Sequence, residues 1–283
     1  MFSVAAAAAA GPATAPQGGP AVHVAHAGLL KLGWQLAVPT GTFADRTVFE
    51  AIDLLHGLTV HHLELTPGQP LSADELGVTI GADLSAARVA KLLAKLKGAH
   101  MDVVSYGPVD VGAGEATARA VFAFAKAVHA KVLVIDLPVS SMGRLDRLAT
   151  EYQVNVALPN GPATTAYRAA TDLLNATAGC SRRVGSGDCL GGWREAGADP
   201  AAATRALRDH IVEVRVDDGD VRGTPMPAVA PLAELGRQGF RGVVVMASQP
   251  GLGTDVIDRF VASANGLSDA VTAVAAAEPT AGK

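Results

Sequence analysis

The sequence predicts a closed (β/α)8 TIM barrel preceded by an extended low-complexity N-terminal tail. Three observations carry that prediction. Short β-branched runs alternate with longer, alanine-rich amphipathic runs, a pattern that means a parallel sheet. Eight such strand–helix units fit into roughly 240 residues, close to the typical length of about 250 for a closed barrel. No Gly-x-Gly-x-x-Gly opens a helix after the first strand, which argues against an open doubly wound sheet.

The elements follow in order. Strand-like segments are Leu32–Val38, His61–Thr66, Asp102–Tyr106, Lys131–Leu137, Val154–Leu158, Arg183–Gly187, Ile211–Val216 and Gly242–Met246. Helical patterns lie between them, at Thr47–Leu58, Ser85–Ala99, Glu115–His129, Arg144–Tyr152, Thr164–Ala176, Pro200–Asp209, Ala228–Gln238 and from Thr254 onwards. Asp199-Pro200 is a strong helix start, a capping acid ahead of a proline at the first helical position. The expected organisation is a tail over residues 1–28, a barrel over 29–272 and a C-terminal tail over 273–283.

Composition bounds the rest. The chain has 283 residues, 49% of them apolar and 18% charged, which excludes disorder for most of its length. A chain of this size buries about three quarters of its unfolded surface and needs no staples. The formal charge is −4 and no basic stripe occurs, so a nucleic-acid role has no electrostatic footprint. Mean hydropathy is +0.27. Alanine accounts for that value, and no apolar run is long enough to span a membrane. Cys180 and Cys189 are too few for a zinc site of the Cys-x-x-Cys kind and read as two reduced, mostly buried thiols.

Residues 1–28 contain no Lys, Arg, Asp or Glu. The apolar run Phe2–Ala10 and the triplet Ala25-His26-Ala27 resemble parts of an export signal. The lack of a positive start and the long spacing between the two argue against a cleavable one. The compartment therefore stays open between exported and cytoplasmic. If ordered, so uncharged a tail is expected to dock on another subunit.

In a barrel the chemistry sits where strands end and the following loops begin. Several of those edges resemble the sugar phosphate isomerase/epimerase family, the barrels similar to xylose isomerase. Lys31-Leu-Gly-Trp-Gln-Leu is similar to the family's opening strand and His62-Leu-Glu-Leu-Thr-Pro-Gly-Gln to its second, with Glu64 as the acid. Val103-Val-Ser-Tyr-Gly is similar to the third. Gly191-Gly-Trp-Arg-Glu-Ala-Gly-Ala-Asp-Pro resembles the sixth loop, and Gln238-Gly-Phe-Arg-Gly the run into the last strand. The resemblance covers roughly 31–267.

It implies a divalent metal over the barrel mouth, held by a Glu or His, an Asp, a His and a Glu, and acting as Lewis acid for an enediolate while the glutamates move a proton. Carried over position by position, this sequence departs at every ligand. Leu158 stands at the first, Cys189 at the second, Arg215 at the third and Ala247 at the last, which is also the base. Asn160 replaces a second His of the fifth strand and Gly192 a His of the sixth loop. Asp188 is one residue from the Cys189 position. Leucine and alanine donate no electron pair, and arginine stays charged and cannot ligate. No metal and no cofactor are therefore expected.

Three functions follow. The first is a degenerate barrel serving as a structural or accessory subunit, with protein subunits or second copies of the chain as partners and a sugar-like small molecule as a further one. The second is an active isomerase, epimerase or lyase with a relocated carboxylate site of Glu64, Asp136 and Asp188, Arg215 stabilising the enediolate. The third is a sugar- or sugar-acid-binding protein without turnover. Residues expected at the mouth are Gln35, Glu64, Tyr106, Asn160, Trp193, Arg215 and Asp218.

Each has a plainer structural reading. Glu64 fits an ion pair with Arg215 as well as it fits a base. Asp136 fits a loop cap, Trp193 a loop anchor, and the Arg215, Asp217 and Asp218 cluster a structural ion pair. His61 and His62 alternate across a strand and cannot share a site. Gly251-Leu-Gly-Thr-Asp follows the last strand, where barrels bind phosphate, but two glycines are a weak signal.

Overall fold

The computed structural model describes residues 24, 26–75, 77–112, 114–136, 139–161, 166–251 and 253–277. The chain begins with a short helix α1 (Ala27–Lys31) and then alternates. The elements are β1 (Gln35–Pro39), α2 (Val48–Gly57), β2 (His62–Leu65), α3 (Ala86–Gly98), β3 (Asp102–Val109), α4 (Glu115–Ala127), β4 (Val132–Ile135), α5 (Met142–Tyr152) and β5 (Asn155–Pro159). They continue with α6 (Ala170–Thr177), β6 (Val184–Cys189), α7 (Leu190–Glu195), α8 (Pro200–Leu207), β7 (Ile211–Val216), α9 (Val229–Arg237), β8 (Val243–Met246) and α10 (Thr254–Ala277). The strands pair in sequence order, every pair parallel, and β8 closes on β1. The predicted barrel is the observed one.

Local chemistry sets the helix starts. Thr47 caps α2 by accepting from the Glu50 amide at 3.3 Å, while Glu50 accepts the Thr47 amide at 2.8 Å, a reciprocal capping box. Asp199 accepts the Ala201 amide at 3.0 Å ahead of Pro200, as its sequence predicts. Helix α7 is an element the sequence does not announce, because Gly191 and Gly192 read as loop. Both glycines are needed for close packing. A Cβ on Gly192 would lie 2.6 Å from the Asn160 carbonyl oxygen, and one on Gly191 would strike the Asp217 carboxylate. The closing helix α10 runs past Thr272 to Ala277, and its Val271 and Val274 are buried where it meets α1. The expected tail over residues 1–28 lies largely outside the described residues. From Ala27 the chain is helical, and Val24 and Leu29 are buried.

Strand alternation divides the side chains. Leu36, Val38, Leu63, Leu133, Val156, Leu158, Val214 and Val244 face the helices in one large core. Ala37, Val104, Val243 and Val245 fill one side of the lumen, and Val132, Val134, Ala157 and Val212 the other. Three irregularities break the alternation, one of them between Tyr106 and Val109 near the end of β3, where it meets β4. The register jumps across Val104 in β3 and across Val212 in β7, so each strand holds one extra residue. Val104 and Ser105 consequently both serve the lumen, as do Val212 and Glu213.

At the floor of the barrel, the turns from helix to strand need a left-handed residue. Gly33, Gly179 and Gly239 supply it at three turns, but Thr59, His100, His129 and Gln153 adopt φ of 63°, 52°, 63° and 60°. A β-branched residue is least suited to that conformation, at about 1–2 kcal/mol. Thr59→Gly is therefore expected to raise stability by roughly 1 kcal/mol, after glycine's own entropic cost. Thermal denaturation of the two proteins checks it.

Candidate functional site

The barrel lumen ends at the mouth in a buried ionic cluster. Glu64 leaves the end of β2 and meets Arg215 of β7 in a two-pronged pair, Nη1 to Oε2 at 2.7 Å and Nη2 to Oε1 at 3.0 Å. Nη1 also donates to Glu213 Oε1 at 3.0 Å. The hydroxyl of Ser105, from β3 across the lumen, donates to the other Glu213 oxygen at 3.1 Å. Glu213 has no exposed surface, Glu64 has 1%, and the Arg215 side chain has 13%. One guanidinium thus serves two carboxylates. Burial pushes the Glu213 carboxyl up to about 7, against Arg215 and reinforced by the nearby Glu64 charge. Burial works against the Arg215 charge, but the two carboxylates outweigh it and hold the guanidinium more firmly protonated than usual.

Above the cluster lies a cavity of about 240 Å³, bounded by Glu64, Arg215, Thr42, Thr66, Ser248 and Gln249 among others. The Thr42 and Ser248 hydroxyl oxygens are buried there with no hydrogen-bond partner among the described residues. Thr66 is committed, since its Oγ1 accepts the Gly41 amide at 2.9 Å.

The other residues expected at the mouth scatter. Gln35 opens β1 and lies at the opposite end of the barrel, beside Trp34 and His62. Tyr106 points to the helices, its ring 4.9 Å from that of Phe124, and burial pushes its hydroxyl up to about 12. Asn160 is a staple: its Nδ2 donates to the Cys189 carbonyl at 2.9 Å and its Oδ1 accepts the Cys189 amide at 2.7 Å, tying β5 to β6. Trp193 is fully buried and offers no open face. Its indole N–H donates to Asp188 Oδ1 at 2.6 Å, while Thr204 donates to Oδ2 at 2.7 Å.

Asp188 therefore belongs to the layer between β6 and the helices, and burial raises its carboxyl to about 6. Asp136 is exposed one residue beyond β4, its carboxyl raised by partial burial. Asp218 accepts the Gln249 amide at 3.2 Å and lies 3.6 Å from Arg259, joining the ends of β7 and β8. Of Glu64, Asp136 and Asp188, only Glu64 lines the mouth cavity among the described residues. At the glycines after β8, the Gly253 amide already donates to the Asp45 carboxylate at 3.0 Å, and Leu252 lies outside the described residues.

No family model matches the chain, and no curated protein does. Solved structures do match its fold. An uncharacterized protein from Parabacteroides distasonis ATCC 8503 aligns with a TM-score of 0.70 and 24% identity, over 83% of this chain and 97% of that one. A D-tagatose 3-epimerase-like protein aligns at 0.66 with 14% identity, over 86% and 98%. The IOLI protein, solved with a bound zinc atom, aligns at 0.62 with 14% identity, over 84% and 98%. These likenesses show the fold, a (β/α)8 barrel.

A divalent metal, such as the zinc atom of the IOLI protein, does not suit the donors at this mouth. Leu158 faces the helices, and Ala247 carries no donor. Cys189 pairs with Arg215 across the β6–β7 ladder, and burial raises its thiol to about 11, so it is a neutral thiol. Arg215 puts a fixed cation, already satisfied by two carboxylates, into the lumen. Among the described residues no group of three or more His, Cys, Asp and Glu is placed to hold an ion.

Glu213 and Ser105 are the site residues that the sequence reading missed. The signal was present, because Ile211-Val-Glu-Val-Arg-Val sets two charges two residues apart in an otherwise apolar strand, hence on one face. Glu213 also gives a pH prediction. A carboxyl raised from 4.5 to about 7 binds its proton more tightly in the folded state. That contribution is fully present below pH 4.5 and is lost as the pH rises through about 7. Glu213→Gln is expected to flatten the fall in stability over that window, by at most about 1.4 kcal/mol per pH unit. Urea unfolding at a series of pH values measures it.

Proposed function

We propose that this barrel works without the metal-dependent proton shuttle, and that its mouth binds a small, neutral polyhydroxy molecule without turning it over. One observation carries the reading: the Arg215 guanidinium sits on the lumen face of β7, clasped by Glu64 and Glu213. A fixed cation there repels a divalent ion, and both carboxylates that could ligate or act as a base are consumed by it. The zinc-bearing IOLI protein has a similar fold, so this is a difference of donors on one scaffold.

The ligand class follows from what is left at the mouth. Arg215 is already shared by two carboxylates, which disfavours sugar acids and sugar phosphates. The buried Thr42 and Ser248 hydroxyls lack partners, and ligand hydroxyls would satisfy them. Within this reading Glu64, Arg215, Thr42, Ser248 and Gln249 form the binding wall. An accessory role in a larger assembly is compatible with it.

The experiment has two arms. Elemental mass spectrometry of the purified, unstripped protein is expected to find manganese, zinc, cobalt and magnesium all far below one equivalent. Thermal-shift titration is expected to register neutral pentoses, hexoses or cyclitols and not the corresponding acids, with the response lost in Ser248→Ala. One tightly bound equivalent of metal, or a response to the acids alone, overturns the proposal. Sedimentation in the same preparation separates a lone barrel from a subunit.

A further inference from the structure

A large hollow lies at the other end of the barrel. It measures about 660 Å³ and opens on the floor between the C-terminal ends of α3 and α4. Its base is apolar, formed by Leu96, Met101, Val103 and Val128, and its rim carries Lys97, His100, His129 and Lys131. A second hollow of about 420 Å³ adjoins it, shares His129 and Lys131, and adds Lys126. Asp102 is the acid among these lining residues.

The charge of this rim runs against that of the chain. The protein is acidic overall, with 27 carboxylates against 23 lysines and arginines. Several surface cations elsewhere are paired: Lys91 and Arg88 with Glu75, Lys95 with Asp53, Arg147 and Arg119 with Glu115, and Arg237 and Arg205 with Glu234. Lys97, Lys126 and Lys131 form no ion pair among the described residues. Three like charges brought together without a partner repel one another, and an anion between them relieves that repulsion.

Cations near helix C-termini also compensate the helix dipole, which explains Lys97 and Lys126 singly. It does not explain Lys131, which follows the turn and is shared by the cavity that carries Lys97 and the adjoining one that carries Lys126. The two histidines add to the pattern. His100 and His129 hold left-handed turn positions where glycine is cheapest, and both line the hollow.

We propose that the floor hollow is a binding site for a small organic polyanion, a phosphorylated molecule with an apolar portion. The phosphates would lie among Lys97, Lys131 and Lys126, with His100 and His129 as further donors, and the apolar portion on Leu96, Met101 and Val128. The acidic surface outside the hollow limits the ligand to one that fits within it. The site is independent of the mouth, since the lumen side chains lie between them.

Isothermal titration with inorganic pyrophosphate and with ADP, on the full chain, tests the proposal. Both are expected to bind at low salt, ADP more tightly because pyrophosphate lacks the organic body. Lys97→Gln/Lys131→Gln is expected to weaken both by about tenfold or more, as is added salt. Ser248→Ala at the mouth is expected to leave them unchanged. These exposed lysines can be replaced without opening the core, so the fold survives the test. No heat with either probe at millimolar concentration overturns the proposal. So does binding that the double variant leaves intact, or a double variant that changes only the melting temperature, which would reduce the lysines to helix-dipole partners.

Discussion

Arg215→Ala is expected to cost about 3–5 kcal/mol, the loss seen when one partner of a buried ion pair is removed. The reason is geometric. Arg215 alone answers Glu64 on both oxygens and Glu213 on one, and both carboxylates are almost wholly inaccessible to water. Without the guanidinium the Glu64 charge would be uncompensated, and Glu213, already raised by burial, would have to take up a proton to avoid a second. For a chain of this size the melting temperature should drop by roughly 6–15 °C. The loss should shrink on acidification, because protonation removes the charges that Arg215 had balanced. Glu64→Gln/Glu213→Gln/Arg215→Met is the decisive control. Replacing all three charges by neutral groups of similar volume should restore most of the stability. Differential scanning calorimetry of the two variants reads both results. A single variant as stable as the parent would mean that the cluster is solvated and does not organise the mouth.

Asp188→Ala ranks second, at about 2–5 kcal/mol. Two donors lose their acceptor at once, the Trp193 indole N–H and the Thr204 hydroxyl, each costing about 1–3 kcal/mol when buried unsatisfied. Asp188→Asn should recover part of the loss, since its amide oxygen still accepts one of the two. Chemical denaturation measures the order: parent, Asn, Ala. The result also bears on function. A carboxylate of the mouth would change ligand response with little change in stability, whereas one set between β6, α7 and α8 should do the reverse.

How far the site was legible can be argued from single residues. The ion pair of Glu64 with Arg215 was readable, because each falls at a strand end that the resemblance aligns. The mixed fate of the other candidates was not. The strand containing Gln35 was predicted from Leu32, whereas β1 starts at Gln35 itself, which moves this residue from mouth to floor. Asp188 and Cys189 differ by one step along β6, and one step exchanges the lumen for the helix layer. Trp193 reads equally well as platform or anchor until Asp188 and Thr204 are seen to enclose it. Ser105 and Glu213 reach the lumen through the extra residues at Val104 and Val212, and a bulge leaves no mark in an apolar run.

The floor hollow shows the same limit from the other side. Lys97, Lys126 and Lys131 are spread along α3, α4 and the turn into β4, each an ordinary cation near a helix end. Only the parallel arrangement of two βα units, which returns every helix C-terminus to one face, gathers them around two adjoining cavities.

By itself the sequence determined the fold class and the alternation of strands and helices that closes the barrel. Those follow from the hydrophobic period, the helix caps and residue chemistry, which are local and survive an error of a residue or two in boundaries. The tertiary structure alone decided which carboxylates meet Arg215, which aromatic rings are buried and where unpaired lysines converge. Those depend on strand register and bulges, where a shift of one residue turns a side chain from one face of the sheet to the other.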